Sequence, residues 1–127
     1  MEHPEYVLHY IASPYTHSDP EVREKRYEEV EEATLILLRQ GHYGFSPIAY
    51  NHPMGRHNLP TTWDFWEPFD KAFLERCSSI VVLMLEGWNT SLGVQAEIDY
   101  AIKIGLPVQY LEPTDVFSEG FIFEPLC

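Results

Sequence analysis

The run Ile80-Val81-Val82-Leu83-Met84-Leu85 and, after Glu86-Gly87-Trp88, the segment Asn89-Thr90-Ser91-Leu92-Gly93-Val94-Gln95-Ala96-Glu97-Ile98-Asp99-Tyr100-Ala101 decide the fold. The first part is short, β-branched and uninterruptedly apolar, which reads as a buried strand. In the second the apolar period lengthens, and Val94, Ile98, Ala101 and Ile102 form one helical stripe. A strand ends, a loop turns, and a helix begins with Ser91 in its first turn. The opening N–H groups of a helix have no partner within it and carry partial positive charge, which suits an anion. Gly93 leaves room for a ligand to approach. Glu97 flanks the stripe, so its carboxylate faces the cleft, whereas Asp99 turns to solvent. An anion cradle beside a carboxylate is the first candidate site.

Upstream, Tyr6 to Ala12 reads as the first strand, ended by Ser13-Pro14. Ser18-Asp19-Pro20 marks a helix start, with Pro20 at the first helical position and Gly41 as the stop after Gln40. The inward stripe of that helix is Arg23, Arg26, Tyr27, Val30, Thr34, Leu37 and Leu38, cationic at its near end. Over the carboxyl edge of a parallel sheet, Arg23 and Arg26 are candidate ligand contacts. Pairing with surface acids such as Glu28 and Glu29 is the plainer role for either one. His42 to Pro47 reads as a second strand, and the proline-bearing segment 48–62 as a long loop. His52 and His57 lie in it, but nothing nearby completes a metal set, so no metal and no cofactor are expected.

Thr62 reads as the cap of a helix through Trp66 to Cys77. Its stripe of Trp66, Phe69, Asp70, Phe73, Leu74 and Cys77 places a carboxylate among apolar side chains. Burial without a partner is expensive, so Asp70 has either a structural partner or a task. Downstream, Gly105 ends the organising helix and Pro107 to Leu111 reads as the fourth strand. From about residue 112 a tail carries Phe117, Phe121, Ile122 and Phe123, which need cover on this domain or against another subunit. The tail is also a candidate fifth strand.

The 127 residues fit one domain spanning 1–127, with 45% apolar and 14% aromatic residues. A net charge of −12 argues against nucleic-acid polymers as partners, though not against a mononucleotide. Cys77 and Cys127 form no disulfide framework, and no membrane-length apolar run is present, so a cytoplasmic location is expected. The alternation of strands and helices predicts an α/β sandwich with a small, mostly parallel sheet of four to five strands. Dinucleotide and P-loop signatures are absent.

A pair of carboxylates flanked by aromatic rings suits glycosidic chemistry: one attacks or stabilises an oxocarbenium-like carbon, the other handles a proton. Trp63, Trp66 and Tyr10 could stack on a planar base, although core packing explains any aromatic taken singly. Tyr10-Ile11-Ala12-Ser13-Pro14-Tyr15, Asp70 ahead of a buried strand, and Ser91-Leu92-Gly93-Val94-x-x-Glu97 together resemble the nucleoside 2-deoxyribosyltransferase superfamily. The last segment is most similar to its nucleoside 5′-monophosphate N-glycosidases. The resemblance spans Tyr6 to about Leu111. It implies a flavodoxin-like, Rossmann-like three-layer fold, Glu97 as nucleophile on the anomeric carbon, and Asp70 as a sugar- or base-contacting carboxylate. It also implies Tyr10 lining the nucleoside pocket, Ser13 and Ser91 on a 5′-phosphate, and assembly as a homodimer or larger. Two departures stand out. Pro14-Tyr15-Thr16-His17 replaces the arginine- and glycine-rich turn of the glycosidases, so Arg23 or Arg26 has to substitute. Ser91 stands where the transferases carry aspartate. The resulting expectation is hydrolysis of the N-glycosidic bond of a nucleotide or deoxynucleotide. The alternatives are base exchange between nucleosides and a non-catalytic nucleotide-binding module.

Overall fold

The computed structural model describes residues 6–126. Cys127 lies outside them, and Cys77 is a buried free thiol. The chain runs β1 (Leu8–Ala12), α1 (Pro20–Arg39), β2 (Tyr43–Phe45), α2 (Pro47–Met54), a 3-10 turn (Gly55–His57), α3 (Trp63–Leu74), β3 (Ser79–Leu83), α4 (Leu92–Lys103), β4 (Val108–Leu111) and α5 (Pro113–Val116). The strands form one four-stranded sheet in the order β2-β1-β3-β4, with every pair parallel. This is the flavodoxin-like arrangement that the resemblance implied, with four strands among the described residues, within the expected four to five.

Central strands are covered on both faces, which is why β3 is buried at all five positions and reads as a continuous apolar run. On one face Tyr10, Ala12, Ile80 and Val82 pack against Leu74 of α3 and Val94, Ile98 and Ala101 of α4. On the other, Ile11, Val81 and Leu83 pack against Val30, Ala33 and Leu37 of α1 and against Val116 and Phe123 from the C-terminal segment. The layers are thus helix, sheet and helix. The order reverses between β1 and β3, so the crevice at their carboxyl ends is where such a sheet takes ligands.

Several expected boundaries and faces shift. Segment 48–62 is no long loop: α2 occupies most of its first half. Ser46 caps α2 by accepting the Ala49 N–H at 3.1 Å, and Pro47 takes the first helical position. A Ser-Pro pair that looks like a strand end is here a helix start. β1 begins at Leu8, β2 spans only Tyr43–Phe45, β3 starts at Ser79 and α3 stops at Leu74. Thr62 holds the cap position of α3 without a side-chain cap bond. In α1 the buried set is Val30, Ala33, Thr34 and Leu37, whereas Leu38 is 47% exposed. Ile102 also leaves its stripe for solvent, and Phe73 is half-exposed while stacking on Phe45 at 4.4 Å.

Among the described residues the tail adds no strand. Two glutamine side chains hold it by imitating a backbone partner. Gln40, capping α1, donates to the Phe121 carbonyl and accepts from the Phe123 N–H, each at 2.8 Å. Gln109 of β4 donates to the Glu124 carbonyl at 2.8 Å and accepts from the Leu126 N–H at 3.2 Å. Between these clasps Phe123 is buried edge-on against His9 and His42, at 5.3 and 4.9 Å. The domain itself therefore covers Phe123, while its neighbour Ile122 faces solvent. Phe123→Ala should lower the unfolding free energy by about 3 kcal/mol, and Ile122→Ala should stay within about 0.5 kcal/mol of wild type. Urea titration of both variants checks this.

Candidate active site

At the carboxyl edge of β1 and β3 lies a cavity of about 450 Å³. Its walls come from the β1–α1 loop (Ser13, Tyr15), α2 (Pro47, Asn51, His52), the first two turns of α3 (Trp63, Trp66, Asp70) and the first half of α4 with its cap (Ser91, Gly93, Glu97). Ser91 caps α4 by accepting the Val94 N–H at 3.2 Å, which fixes where the helix begins. Gly93 sits under Trp63: a side-chain carbon there would stand 3.4 Å from the indole. That is ordinary contact distance, so Trp63 packs over the start of α4 and Gly93 keeps the cavity wall low there. Trp66 is anchored by its ring N–H on the Pro60 carbonyl at 2.8 Å.

The floor is acidic and dry. Glu97 is 5% exposed and Asp70 7%, and both reach the cavity. Glu97 leaves solvent almost entirely, whereas Asp99 stays exposed. The fully buried Tyr10 does not line the cavity: it lies behind Glu97 and donates its hydroxyl to Glu97 Oε2. Burial, first, and then the Asp70 charge raise Glu97 well above the usual carboxylate range, with the Tyr10 hydroxyl acting in opposition. Burial also lifts Asp70 to about 7, against the hydrogen-bonding effect of Tyr10, Glu97 and Asn51. Two carboxyls confined together cannot both ionise cheaply, so near neutrality this pair retains a proton. Tyr10 is itself raised well above 10, by burial and then by the two acids.

Three buried polar atoms around this floor have no hydrogen-bond partner among the described residues: Ser13 Oγ, Asn51 Oδ1 and Asp70 Oδ1. Each belongs to a residue lining the same cavity. An unpaired buried polar atom is destabilising by about 1–3 kcal/mol, and three in one place mark a surface shaped for something polar. On the rim, Tyr15 and His52 bond through the phenol oxygen and Nδ1 at 2.6 Å, and His52 Nε2 faces Glu24 at 3.0 Å. Tyr27 stacks on the same imidazole at 4.3 Å. Among the described residues no cluster of three or more His, Cys, Asp or Glu could hold a metal ion.

The structure brings Ser13, Asp70, Ser91, Gly93, Glu97, Trp63 and Trp66 together around one cavity. It does not bring Arg23 and Arg26 there. Arg26 donates to the carbonyls of Thr16 at 3.0 Å and Glu86 at 3.1 Å, stitching the β1–α1 loop to the β3–α4 loop. Gly87, at φ +91°, makes way for it, since a side-chain carbon there would stand 2.7 Å from the guanidinium. Arg23 bonds the His17 carbonyl. Both arginines hold loops, and neither lines the cavity. Asn51 and His52 are lining residues that sequence reasoning did not place at the site. Reading Ser46-Pro47 as a cap would have set Asn51 one helical turn from Pro47, facing the site.

A family model described as "Domain of unknown function (DUF1937)" matches residues 8–112. No curated protein matches the chain. Among solved structures, a 2-deoxyribosyltransferase from the psychrotolerant bacterium Bacillus psychrosaccharolyticus is similar at 21% identity and a TM-score of 0.58. The match covers 93% of this chain and 77% of that one. The likeness bears out the flavodoxin-like fold that the resemblance implied.

The carboxyl pair also makes stability depend on pH. Asp70 binds its proton more tightly folded than unfolded, so between about pH 4 and 7 the native state carries the excess proton. Unfolding free energy therefore falls as pH rises through that window, and Glu97 acts in the same direction. Asp70→Asn should flatten this slope. Urea midpoints at pH 5 and pH 7.5 should differ more for wild type than for the variant.

Proposed function

The chain belongs to the DUF1937 family, and we propose that it hydrolyses the N-glycosidic bond of a nucleoside 5′-monophosphate or deoxynucleotide. The observation that carries this reading is the buried pair Glu97 and Asp70, sharing the floor of one cavity with the Tyr10 hydroxyl on Glu97. A binding module gains nothing from two adjacent carboxyls that resist ionisation. Glycosyl transfer needs one carboxyl ionised and the other protonated. The volume of about 450 Å³ suits a mononucleotide, and the fold likeness to a 2-deoxyribosyltransferase favours a nucleoside over another glycoside.

In this reading the base lies toward Asp70 and the indoles of Trp63 and Trp66, and the sugar lies over Glu97. The 5′ end points to the start of α4, where Ser91, Thr90 and the first N–H groups of the helix face the cavity. No Lys or Arg lines the cavity among its described residues, so dipole and hydroxyls carry the phosphate. Tyr10 holds one Glu97 oxygen and leaves the other for C1′. As the C1′–N bond breaks, the bond from C1′ to the Glu97 oxygen forms, and the Asp70 proton passes to the departing base. Positive charge developing on the sugar draws the shared proton away from Glu97 toward Asp70 and the base. Water then cleaves the glycosyl ester.

Base release from a panel of nucleosides and their monophosphates tests the reading. Glu97→Ala should reduce release by about a thousandfold or more, and Asp99→Ala, exposed on the same helix, should match wild type. Comparable turnover by Glu97→Ala would exclude Glu97 as the nucleophile, and absence of release by wild type would leave a binding module. Ser91→Ala should raise KM for monophosphates by roughly tenfold and leave free nucleosides nearly unchanged. Since Ser91 also caps α4, its thermal midpoint is measured alongside.

A further inference from the structure

The floor near Asp70 carries a pattern that the glycosidic reading alone does not use. Asn51, on α2, lines the cavity, and its side-chain carbonyl oxygen is buried without a partner among the described residues. Its amide acts on the Asp70 carboxyl as a hydrogen-bond donor, favouring the ionised form. That contact turns the NH₂ group toward Asp70 and leaves Oδ1 as the unanswered end. Beside it, Asp70 Oδ1 is likewise buried and unpaired. Once Asp70 carries the shared proton, the two residues present a donor and an acceptor side by side. Asn51 comes from α2 and Asp70 from α3, and both line the cavity.

We infer that Asn51 selects a leaving base bearing an exocyclic amino group next to a ring nitrogen, with adenine as the ligand that fits this edge. The inference rests on the glycosidic reading for the placement of the base against Asp70. Asp70 would give its proton to N7 as the C1′–N9 bond breaks, and the bonding pair leaves with the purine. Asn51 Oδ1 accepts from the N6 amino group. An asparagine carbonyl paired to N6 with a donor at N7 is the arrangement by which side chains single out adenine elsewhere. A 6-oxo purine turns its O6 lone pairs onto Asn51 Oδ1. Two acceptors then face each other in a dry site, and neither finds a donor. Rejection follows from the unpaired atoms rather than from size, because adenine and hypoxanthine are nearly the same shape. Trp63 and Trp66 offer faces to either base and contribute no choice between them.

The test compares adenosine and inosine monophosphates, in ribo and deoxy forms, together with binding of free adenine and hypoxanthine by calorimetry. Wild type should prefer the adenine substrate in kcat/KM by roughly tenfold to a hundredfold and bind free adenine in the same order. Asn51→Leu, similar in size and without the acceptor, should level the preference mainly by loss on the adenine side. Unsubstituted purine, lacking the amino group, should bind wild type no better than hypoxanthine does, which keeps the test valid if the variant folds poorly. Release of bases with no preference for adenine, or a preference that survives Asn51→Leu, overturns the role of Asn51 and leaves the glycosidic reading standing. Absence of release from every substrate overturns the glycosidic reading. In that event selective adenine binding lost in Asn51→Leu would still support Asn51 as the reader of the amino group.

Discussion

Everything at the site depends on keeping two carboxyls out of water within reach of one another. Glu97 comes from α4, Asp70 from α3, and the hydroxyl that steadies Glu97 from Tyr10 at the centre of β1. Apolar neighbours hold each in place. Tyr10 belongs to the cluster that contains Ile80 and Ile98, and Glu97 lies on α4 between the core residues Val94 and Ile98. A solvated pair would ionise fully, lose the shared proton and retain no chemistry at neutral pH. Burial is therefore a functional requirement here, and the two faces of the sheet are built to maintain it.

The sequence disclosed most of this frame because the strongest periodicities belong to the central elements. The apolar run of β3 and the switch to helical spacing at Ser91 were legible, since a parallel strand buried on both faces has no polar alternation to confuse it. Asp70 was legible as an anomaly in an apolar stripe. Glu97 was legible as a residue beside a stripe, although its degree of burial was not. The missed parts share a cause. α2 was hidden because prolines and histidines suggest a loop, and its start depends on the one bond from Ser46 to the Ala49 N–H. Arg23 and Arg26 had the right position for a ligand contact. What local spacing cannot show is that the carbonyls of Thr16, Glu86 and His17 accept their hydrogen bonds.

The tail illustrates the same limit from the other side. Its aromatics announced a need for cover, and it was also a candidate fifth strand. The actual device is a pair of glutamine clasps from Gln40 and Gln109, which satisfy tail amides and carbonyls without a ladder. Phe123 then fills the space between the tail, His9 and His42, far along the sheet from the carboxyl edge. Support and chemistry are in this way assigned to opposite ends of the strands.

The strand order has a consequence for how the chain is made. β1 ends up between β2 and β3, and the register pairs His9 with Ser79 and Ala12 with Val82. A ribosome delivers β2 soon after β1 but β3 only about 70 residues later, so one edge of β1 stays open through that interval. That edge carries Tyr10-Ile11-Ala12, an apolar segment able to pair with any other strand it meets. The nascent chain is most exposed to mispairing while its eventual centre waits for a neighbour. Slower elongation before residue 79, or a crowded pool of incomplete chains, would be felt as aggregation rather than as loss of activity.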